Sequence, residues 1–480
     1  MTLSLKRTYS ILILFIIVAN FLFRLLFINI PTFADETNYN NSALEIAENR
    51  LNPFTNYFSY KPPLVYYPVA MLYRFVFPSR IWGRILTYIY SSLSLLLIYK
   101  LGKKFFDAQT GFWSSILFFS FPLFSAQSFL FTAEVAITAY FLVSLYFYVS
   151  KKYFLYAVFS SFLVMSKEPL ILIPFALLLY EVYHQAKSRK FDLFKILPFA
   201  IPVFLFLFWL LANKIFLGFF INPRHLSITK YRMDQNILDQ FEWVFYSHFI
   251  IHFNWIIFIF IYISCLVSYF YKQDIYVIRY RKLNIISTVL FVLFVSMNYF
   301  FIPLARYMLF AYSLIVLLFT YSITLLKVNN IIKTSLVFLF SSMLISSNLY
   351  SMRKGVIAID NDIDFRFFRN IKIHQEVIDL IRRNYSNQNI LTAWPIDHYL
   401  TYPLDGYVDN PIDLVDLNVC LEKDPIPLPK YSIYRSIIVI NSPLNCVQFK
   451  TETKSKKIVE LYFDTKNKNH SIKIFQNVFN

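Results

Sequence analysis

Long apolar stretches dominate this sequence and constrain its fold more than any other feature. A membrane-spanning helix needs about 20 mostly apolar residues, and eleven stretches approach that length. Their limits are 9–30, 81–101, 109–126, 130–149, 153–167, 169–184, 194–216, 249–270, 284–303, 306–326 and 331–349. Only 15% of all residues are charged, against about a quarter in soluble domains. We therefore predict a polytopic α-helical membrane protein with about 11 transmembrane helices.

The composition changes after Tyr350, where the apolar stretches end. Residues 372–384 have apolar positions at helical spacing, and the runs 390–393 and 436–440 are typical of buried strands. We expect a transmembrane domain over residues 1–350 and a small soluble α/β domain over residues 351–480. Cys420 and Cys446 lie in this second domain. They would pair in an oxidising compartment or remain two free thiols, and the sequence leaves both open.

The positive charge is concentrated in the predicted membrane domain. Residues 1–350 carry 29 Lys and Arg against 13 Asp and Glu, whereas residues 351–480 carry 17 against 15. Cytoplasmic loops of membrane proteins are rich in Lys and Arg, and a cytoplasmic N-terminus puts 17 of the 29 inside. The net charge of +18 is therefore explained by membrane topology and not by nucleic-acid binding. We expect a multi-pass protein of the cell (plasma) membrane that contacts membrane lipid. An odd number of spans makes the C-terminal domain extracytoplasmic.

Glycine is too scarce for most nucleotide-binding motifs. The chain has 6 Gly against 55 Phe and 36 Tyr. Few glycines are therefore available to form Gly-rich phosphate loops, dinucleotide fingerprints or Gly-based helix-dimer motifs. A nucleotide-dependent activity is not expected.

Two predicted outer loops are longer than a simple connection requires, and such loops tend to be functional. The first is 31–80; within it, residues 43–51 have helical spacing. Residues 64–77 are too short to span a membrane and rich in aromatic residues, so we expect them to lie in the membrane interface. The second loop, 218–248, is a candidate lid over a site.

Three acidic residues lie at predicted outer ends of spans. Asp35 and Glu36 follow the first span, and Glu134 lies near the start of the fourth with no other charge between Gln109 and Ser150. An ionisable group in so apolar a run is a candidate functional residue. The alternatives are a solvated loop start for the Asp35-Glu36 pair and a helix-capping carboxylate near Thr132 for Glu134.

Three cations are predicted at the same depth. Lys61 precedes Pro62-Pro63, Lys167 lies in a turn between two short spans, and Arg306 with Tyr307 begins another span. A lone cation at such a position is usually a lipid-facing anchor. Three cations beside three carboxylates instead indicate a site for an anionic, membrane-embedded ligand.

These motifs, in this order, resemble those of the GT-C glycosyltransferases. The elements are Asp35-Glu36 after the first helix, Lys-Pro-Pro-Leu-x-Tyr-Tyr from Lys61, Arg80 with Arg84, and Ser-Lys-Glu-Pro from Ser166. Within that superfamily the sequence looks most similar to the protein O-mannosyltransferase and aminoarabinose transferase group, whose members use polyprenyl-phosphate sugars. The likeness covers roughly residues 9–184 and, less closely, 303–307.

The resemblance implies roles for the acidic and basic residues. Asp35 would be the catalytic base, with Glu36 and Glu134 as the other acidic members of the catalytic set. Lys61, Lys167 and Arg306, with its neighbour Tyr307, would bind the donor phosphate. Some relatives have a metal-binding carboxylate before Lys-Pro-Pro. This chain has Tyr60 there, so a divalent metal is not predicted.

The expected function is therefore that of an integral-membrane glycosyltransferase, of hexosyl or pentosyl type. It would transfer a sugar from a dolichyl- or undecaprenyl-phosphate donor to a protein, lipid or glycan acceptor on the extracytoplasmic face, with inversion. Base and cations on opposite sides of the anomeric carbon would serve that reaction. The alternative is a transporter or flippase of lipid-linked anionic substrates, which would need polar residues near the bilayer midplane. A non-catalytic subunit is a third possibility.

Overall fold

A computed structural model of the chain describes most of its residues. They are 3–54, 61–188, 192–220, 238, 241–242, 245–246, 254–268, 275–300, 304–326, 328–354, 363–385, 389–392, 394–416, 436–442, 455–462 and 471–477. The predicted lid within 218–248, Tyr60, Cys420 and Cys446 fall wholly or mainly outside these ranges.

The described residues are mostly helical. The α-helices of ten or more residues are α1 (Leu3–Leu25), α2 (Asp35–Glu48), α4 (Arg80–Phe105), α5 (Ala108–Ser120), α7 (Ala133–Val149), α8 (Tyr153–Val164), α9 (Leu172–Ser188), α10 (Leu193–Leu217), α11 (Asn254–Ser268), α12 (Ile275–Phe300), α13 (Leu309–Leu325), α14 (Asn330–Lys354) and α15 (Arg366–Tyr385). The shorter ones are α3 (Tyr67–Phe75), α6 (Pro122–Gln127) and α16 (Ile396–Thr401). Three 3₁₀ turns cover Glu168–Ile171, Ala305–Met308 and Pro403–Asp405.

Several of these helices are long and apolar enough to cross a membrane. Within the described ranges there are six, covering Arg7–Leu25, Arg80–Phe105, Glu168–Ser188, Leu193–Leu217, Ala305–Leu325 and Asn330–Arg353. Shorter apolar helices cover Ala133–Val149, Tyr153–Val164 and Leu283–Ser296. The multi-pass character predicted from the sequence is supported, while the number eleven stays a prediction.

One predicted span is interrupted. We expected a single helix over 109–126, but α5 ends at Ser120 and α6 begins at Pro122. Phe121 between them has extended backbone, with φ −66° and ψ 121°. The proline ring disfavours the α conformation for the preceding residue, so the continuous helix is corrected to two helices.

Both segments singled out in the first outer loop contain a helix, including 64–77, for which the sequence predicted only an interfacial position. Helix α2 contains most of 43–51 and ends where Arg50 and Leu51 take positive φ values of 57° and 63°. Helix α3, only nine residues long, lies within 64–77 and is too short to span a membrane. Met71 and Phe75 on it are 44% and 72% exposed, which suits the interfacial position that the sequence predicts.

Helices α4 and α5 approach each other closely at two glycines. A Cβ atom added to Gly102 would lie 2.5 Å from the Cα of Gly111, and one added to Gly111 would overlap the backbone oxygen of Tyr99. The Ser115 hydroxyl donates across the contact to the Leu95 carbonyl at 2.9 Å. Small residues let membrane helices pack backbone to backbone. Two of the 6 glycines therefore allow close helix packing. The scarcity of glycine had predicted that such packing would be absent.

We expect Gly111→Ala to destabilise the protein. The added methyl group meets rigid backbone, and overpacking of this kind typically costs about 1–3 kcal/mol. The measurement is the thermal unfolding midpoint of the detergent-solubilised protein. Ser114→Ala on the same helix is the control, because it adds no atoms. An unchanged midpoint for Gly111→Ala would contradict the close contact.

By its internal contacts the chain divides into two compact units. The first comprises Met1–Ile28 and Asn41–Ile345, and the second comprises Asn29–Asn40 and Ser346–Asn480. The predicted boundary after Tyr350 assigned the whole of 1–350 to one domain. The structure instead groups a short segment around Asp35 with the C-terminal residues.

The second unit contains a five-stranded sheet. Its strands are β1 (Asn389–Thr392), β2 (Leu414–Asp416), β3 (Ser436–Ser442), β4 (Ser455–Tyr462) and β5 (Ser471–Asn477). Their order is β2-β1-β3-β5-β4, with β1 parallel to β2 and β3, and β5 antiparallel to β3 and β4. The predicted helix over 372–384 lies within α15, and the predicted strands over 390–393 and 436–440 coincide with β1 and β3.

Helix α15 packs through one apolar face into the core of this unit. Val377, Ile378 and Ile381 are fully buried and belong to one cluster with Ile390 of β1 and Tyr399 of α16. The spacing of these residues along α15 matches the helical period. The same burial includes a histidine, His374, which is 3% exposed.

His374 makes the stability of the protein depend on pH. Burial lowers the pKa of His374 to about 3 from its usual 6.5, so the imidazole is neutral in the folded state. Between these values the unfolded chain binds the extra proton, and stability therefore falls as the pH falls below 6.5. Between pH 7.5 and 5.0, we expect the His374→Phe variant to lose about 2 kcal/mol less free energy of unfolding than the wild type.

The measurement is the unfolding midpoint at both pH values. His184→Phe is the matched control, because His184 is exposed on α9. The same loss in wild type and His374→Phe would contradict a buried neutral imidazole.

Candidate functional site

Glu134 lies in the first turn of α7. Its side chain is 4% exposed although it is ionisable. Thr132, the residue before the helix, makes no capping bond with its side chain, and its hydroxyl donates to Gln127 Oε1 at 2.6 Å. The N-terminal end of a helix favours a carboxylate. A capping role alone does not describe Glu134, because its carboxylate also has charged partners.

Two cations predicted from the sequence contact the Glu134 carboxylate. Lys167 Nζ lies 3.2 Å from Glu134 Oε1, and Arg306 Nε lies 3.9 Å from the same oxygen. Lys167 is in the connection between α8 and the Glu168–Ile171 turn, and Arg306 is in the 3₁₀ turn before α13. Three segments distant in sequence thus contribute to one charged cluster at the ends of apolar helices.

Tyr307 provides an aromatic face to this cluster. The ammonium nitrogen of Lys167 lies 3.0 Å from the centroid of the Tyr307 ring, and the guanidinium carbon of Arg306 lies 5.7 Å from it. A cation over an aromatic face is stabilised by the ring quadrupole. Tyr307 therefore helps to hold both cations in place.

Lys61 belongs to the same region. The backbone N–H of Leu64 donates to the Met165 carbonyl at 3.1 Å, which ties the segment after Lys61 to the connection that carries Lys167. The Tyr66 hydroxyl donates to the carbonyl of Lys61 itself at 2.7 Å. The charge of Lys61 is close enough to act on Lys167.

Glu168 also belongs to this cluster. From the sequence it was noted only as part of the Ser-Lys-Glu-Pro turn. Its carboxyl interacts electrostatically with Lys61 and Lys167. The signal available in the sequence was its position beside Lys167. With Glu168 included, the group comprises three cations and two carboxylates. We call these residues the cationic cluster: Lys61, Glu134, Lys167, Glu168, Arg306 and Tyr307.

Asp35 and Glu36 belong to the second unit and differ in exposure. Asp35 is the first residue of α2 and half-buried, and the side-chain amide of Asn38 donates to its Oδ1 at 3.3 Å. Glu36 is fully buried, and its Oε2 accepts a hydrogen bond from the backbone N–H of Phe33 at 3.2 Å. A solvated loop start therefore does not describe Glu36, whereas Asp35 remains accessible.

Metal sites in proteins combine several His, Cys, Asp or Glu side chains. In the part of the chain that the structure describes, no three His, Cys, Asp or Glu side chains come together as a metal site would require. The prediction that no metal binds beside Lys61 concerns Tyr60, which lies outside the described residues.

Part of the sequence matches a known protein family, and the fold resembles a solved structure over nearly the whole chain. Residues 60–212 match the family described as dolichyl-phosphate-mannose-protein mannosyltransferase. The crystal structure of ArnT from Cupriavidus metallidurans bound to undecaprenyl phosphate superposes with a TM-score of 0.56 and 11% identity, covering 98% of each chain. The apo state of that ArnT gives a TM-score of 0.56 and 10% identity, again over 98% of each chain. No curated protein sequence matches the chain.

The resemblance to GT-C glycosyltransferases of the mannosyltransferase and ArnT type is thereby confirmed. The fold extends over nearly the whole chain, whereas the family match covers about a third of it, including Lys61, Glu134 and Lys167. Asp35, Glu36 and Arg306 lie outside the matched residues.

Proposed function

We propose that this protein is an integral-membrane glycosyltransferase that uses a polyprenyl-phosphate sugar as its donor. The observation that carries the proposal is the cationic cluster, in which three cations and two carboxylates converge at the ends of apolar helices. A ligand with a lipid tail and a phosphate matches that combination of apolar surroundings and positive charge. The ArnT structure bound to undecaprenyl phosphate and the mannosyltransferase match support this choice of donor.

In the proposed reaction the acceptor hydroxyl attacks the anomeric carbon of the sugar. The bond from this carbon to the phosphate oxygen breaks, and its electron pair leaves with the polyprenyl phosphate. Asp35 takes the acceptor proton, because it is the accessible carboxylate of its turn. Lys61, Lys167 and Arg306 stabilise the charge that develops on the leaving phosphate. A single displacement of this kind inverts the anomeric configuration.

The other two predicted acidic residues receive supporting roles. Glu36 accepts a backbone hydrogen bond from Phe33 and holds the turn before α2. Glu134 accepts from Lys167 and approaches Arg306, so it orients the two cations. Both roles follow from the contacts, and proton transfer is assigned to Asp35 alone.

The cellular setting follows from the charge distribution. We propose that this is a plasma-membrane protein with a cytoplasmic N-terminus. Residues 351–480 would form an extracytoplasmic α/β domain. The acceptor, whether protein, lipid or glycan, would then be modified on the outer face. Hexosyl and pentosyl donors are both compatible with the cluster, because the contacts proposed for it are to the phosphate and not to the sugar.

The test is donor cleavage by the purified full-length protein. The protein is incubated with a panel of undecaprenyl- and dolichyl-phosphate sugars, and the released polyprenyl phosphate is detected by mass spectrometry. We expect at least one donor to be cleaved, slowly without an acceptor and with inversion when one is supplied. Binding of the lipid phosphates without cleavage of any donor would overturn the proposal in favour of a flippase. Retention of the anomeric configuration would overturn single displacement.

A further inference from the structure

The turn before Asp35 is hydrogen-bonded to residues near the C-terminal end of α16. The backbone N–H of Thr32 donates to the Asp405 carbonyl at 2.9 Å, and the Thr32 hydroxyl donates to Asp405 Oδ1 at 2.9 Å. The Tyr407 hydroxyl in turn donates to the Thr32 carbonyl at 2.9 Å. Both backbone polar groups of Thr32 are therefore bonded to C-terminal residues of the same unit.

A further bond from Tyr399 acts on Ala34, directly before Asp35. Ala34 has a φ of 49°, in the left-handed region that is sterically unfavourable for residues with a Cβ atom. Its backbone N–H donates to the Tyr399 hydroxyl at 2.9 Å. Such conformations persist only where the surroundings enforce them, and they occur preferentially at functional sites.

The residues that make these bonds are buried from solvent. Thr32, Tyr399 and Asp405 are all 0% exposed. Phe33 is 2% exposed, and its ring centroid lies 6.2 Å from those of Phe367 and His374. Hydrogen bonds are stronger where water is excluded. The turn is consequently held by bonds and packing from one set of C-terminal residues.

The direction of the Asp35 side chain depends on this turn. Asp35 is the first residue of α2, and the helix begins immediately after the left-handed residue Ala34. Rotation at Ala34 would reorient the start of the helix and move the carboxylate. Displacement of a catalytic group by about 1 Å can cost about 100-fold in rate.

We propose that Tyr399, Asp405 and Tyr407 are positioning residues for catalysis, holding residues 32–34 so that the Asp35 carboxylate is correctly placed. This inference rests on the proposed function, in which Asp35 is the base. It gives the C-terminal domain a part in the reaction itself, in addition to any role in choosing the acceptor.

The first test is Tyr399→Phe in the full-length protein, with transfer kinetics measured on the donor found by mass spectrometry. We expect kcat to fall about tenfold, within the range that small displacements produce, while the donor KM stays within about twofold because the cationic cluster is intact. Tyr385→Phe is the matched control, because Tyr385 packs against the same core at the end of α15 and makes no hydrogen bond or ring contact with residues 32–34. We expect it to retain wild-type kcat.

The second test asks whether Tyr399 acts by maintaining the backbone conformation of Ala34. Glycine adopts positive φ without steric cost, so Ala34→Gly in the Tyr399→Phe background should restore part of the lost kcat. A merely structural role for Tyr399 would not produce this rescue. Unfolding midpoints of all variants are measured alongside, so that loss of folded protein is not counted as loss of rate.

The outcomes separate this inference from the proposed function. Wild-type kcat in Tyr399→Phe, a defect confined to KM, or no rescue by glycine would overturn the positioning role even if Asp35→Asn is inactive. If the wild-type protein cleaves no donor in the panel, the proposed function itself fails. Reduced kcat in Tyr399→Phe with rescue by Ala34→Gly would support both.

Discussion

Replacing Asp35 by asparagine is expected to reduce sugar transfer by about 10²- to 10⁴-fold, the usual contribution of a positioned base. Asparagine keeps the shape and the hydrogen-bonding capacity of the side chain but cannot take the acceptor proton. Because Asp35 is half-buried at the start of α2, the substitution should leave the fold intact. The loss should appear in kcat, with little change in the KM for the donor.

The matched control for Asp35→Asn is Glu48→Gln. Glu48 is the last residue of the same helix and is exposed, so the control removes one negative charge from α2 at its other end. Its activity should equal that of the wild type. Undiminished transfer by Asp35→Asn, in membranes where the protein accumulates normally, would reject Asp35 as the base.

Lys167→Met is expected to give the second-largest effect, a fall in kcat of about 10²- to 10³-fold, as for loss of one donor to a developing anion. The Lys167 ammonium contacts both Glu134 and the Tyr307 ring. Methionine retains much of the apolar stem but provides no charge for the leaving phosphate. Glu134 keeps Arg306 as a partner in this variant, which limits the loss of stability.

Lys103→Met is the control for the loss of a lysine beside an aromatic ring. Lys103 Nζ lies 5.9 Å from the Tyr99 ring centroid in the last turn of α4, on the predicted inner side. This variant should transfer sugar at the wild-type rate. If Lys103→Met and Lys167→Met lose activity equally, the effect belongs to membrane insertion and not to the phosphate site.

The cationic cluster shows what sequence reasoning can achieve for a membrane protein. Charged residues in apolar stretches are costly and must find partners. That rule selected Glu134, Lys167 and Arg306 from the sequence, and the structure brings them into contact. It did not predict that Glu134 would pair with the cations, because spacing along the chain gives depth in the membrane but no information on which helices are neighbours.

Other features required knowledge of contacts that the chain makes far from each residue in sequence. The bonds from Ala34 and Thr32 to Tyr399 and Tyr407 join residues 365 and 375 positions apart, and no local pattern encodes such pairs. The scarcity of glycine suggested that glycines would not matter for helix packing. The contact of Gly102 with Gly111 depends on two individual residues rather than on their number.

The second unit combines two stretches of chain that are far apart in sequence, and this limits the order in which its contacts can form during synthesis. Asn29–Asn40 leaves the ribosome early, whereas Tyr399, Asp405 and Tyr407, which bond to its turn, are translated only after α14. Domains generally fold as units once their chain is complete. The turn before Asp35 can therefore form these hydrogen bonds only after Tyr407 has been synthesised. With Asp35 as the proposed base, sugar transfer would begin only after synthesis has passed Tyr407.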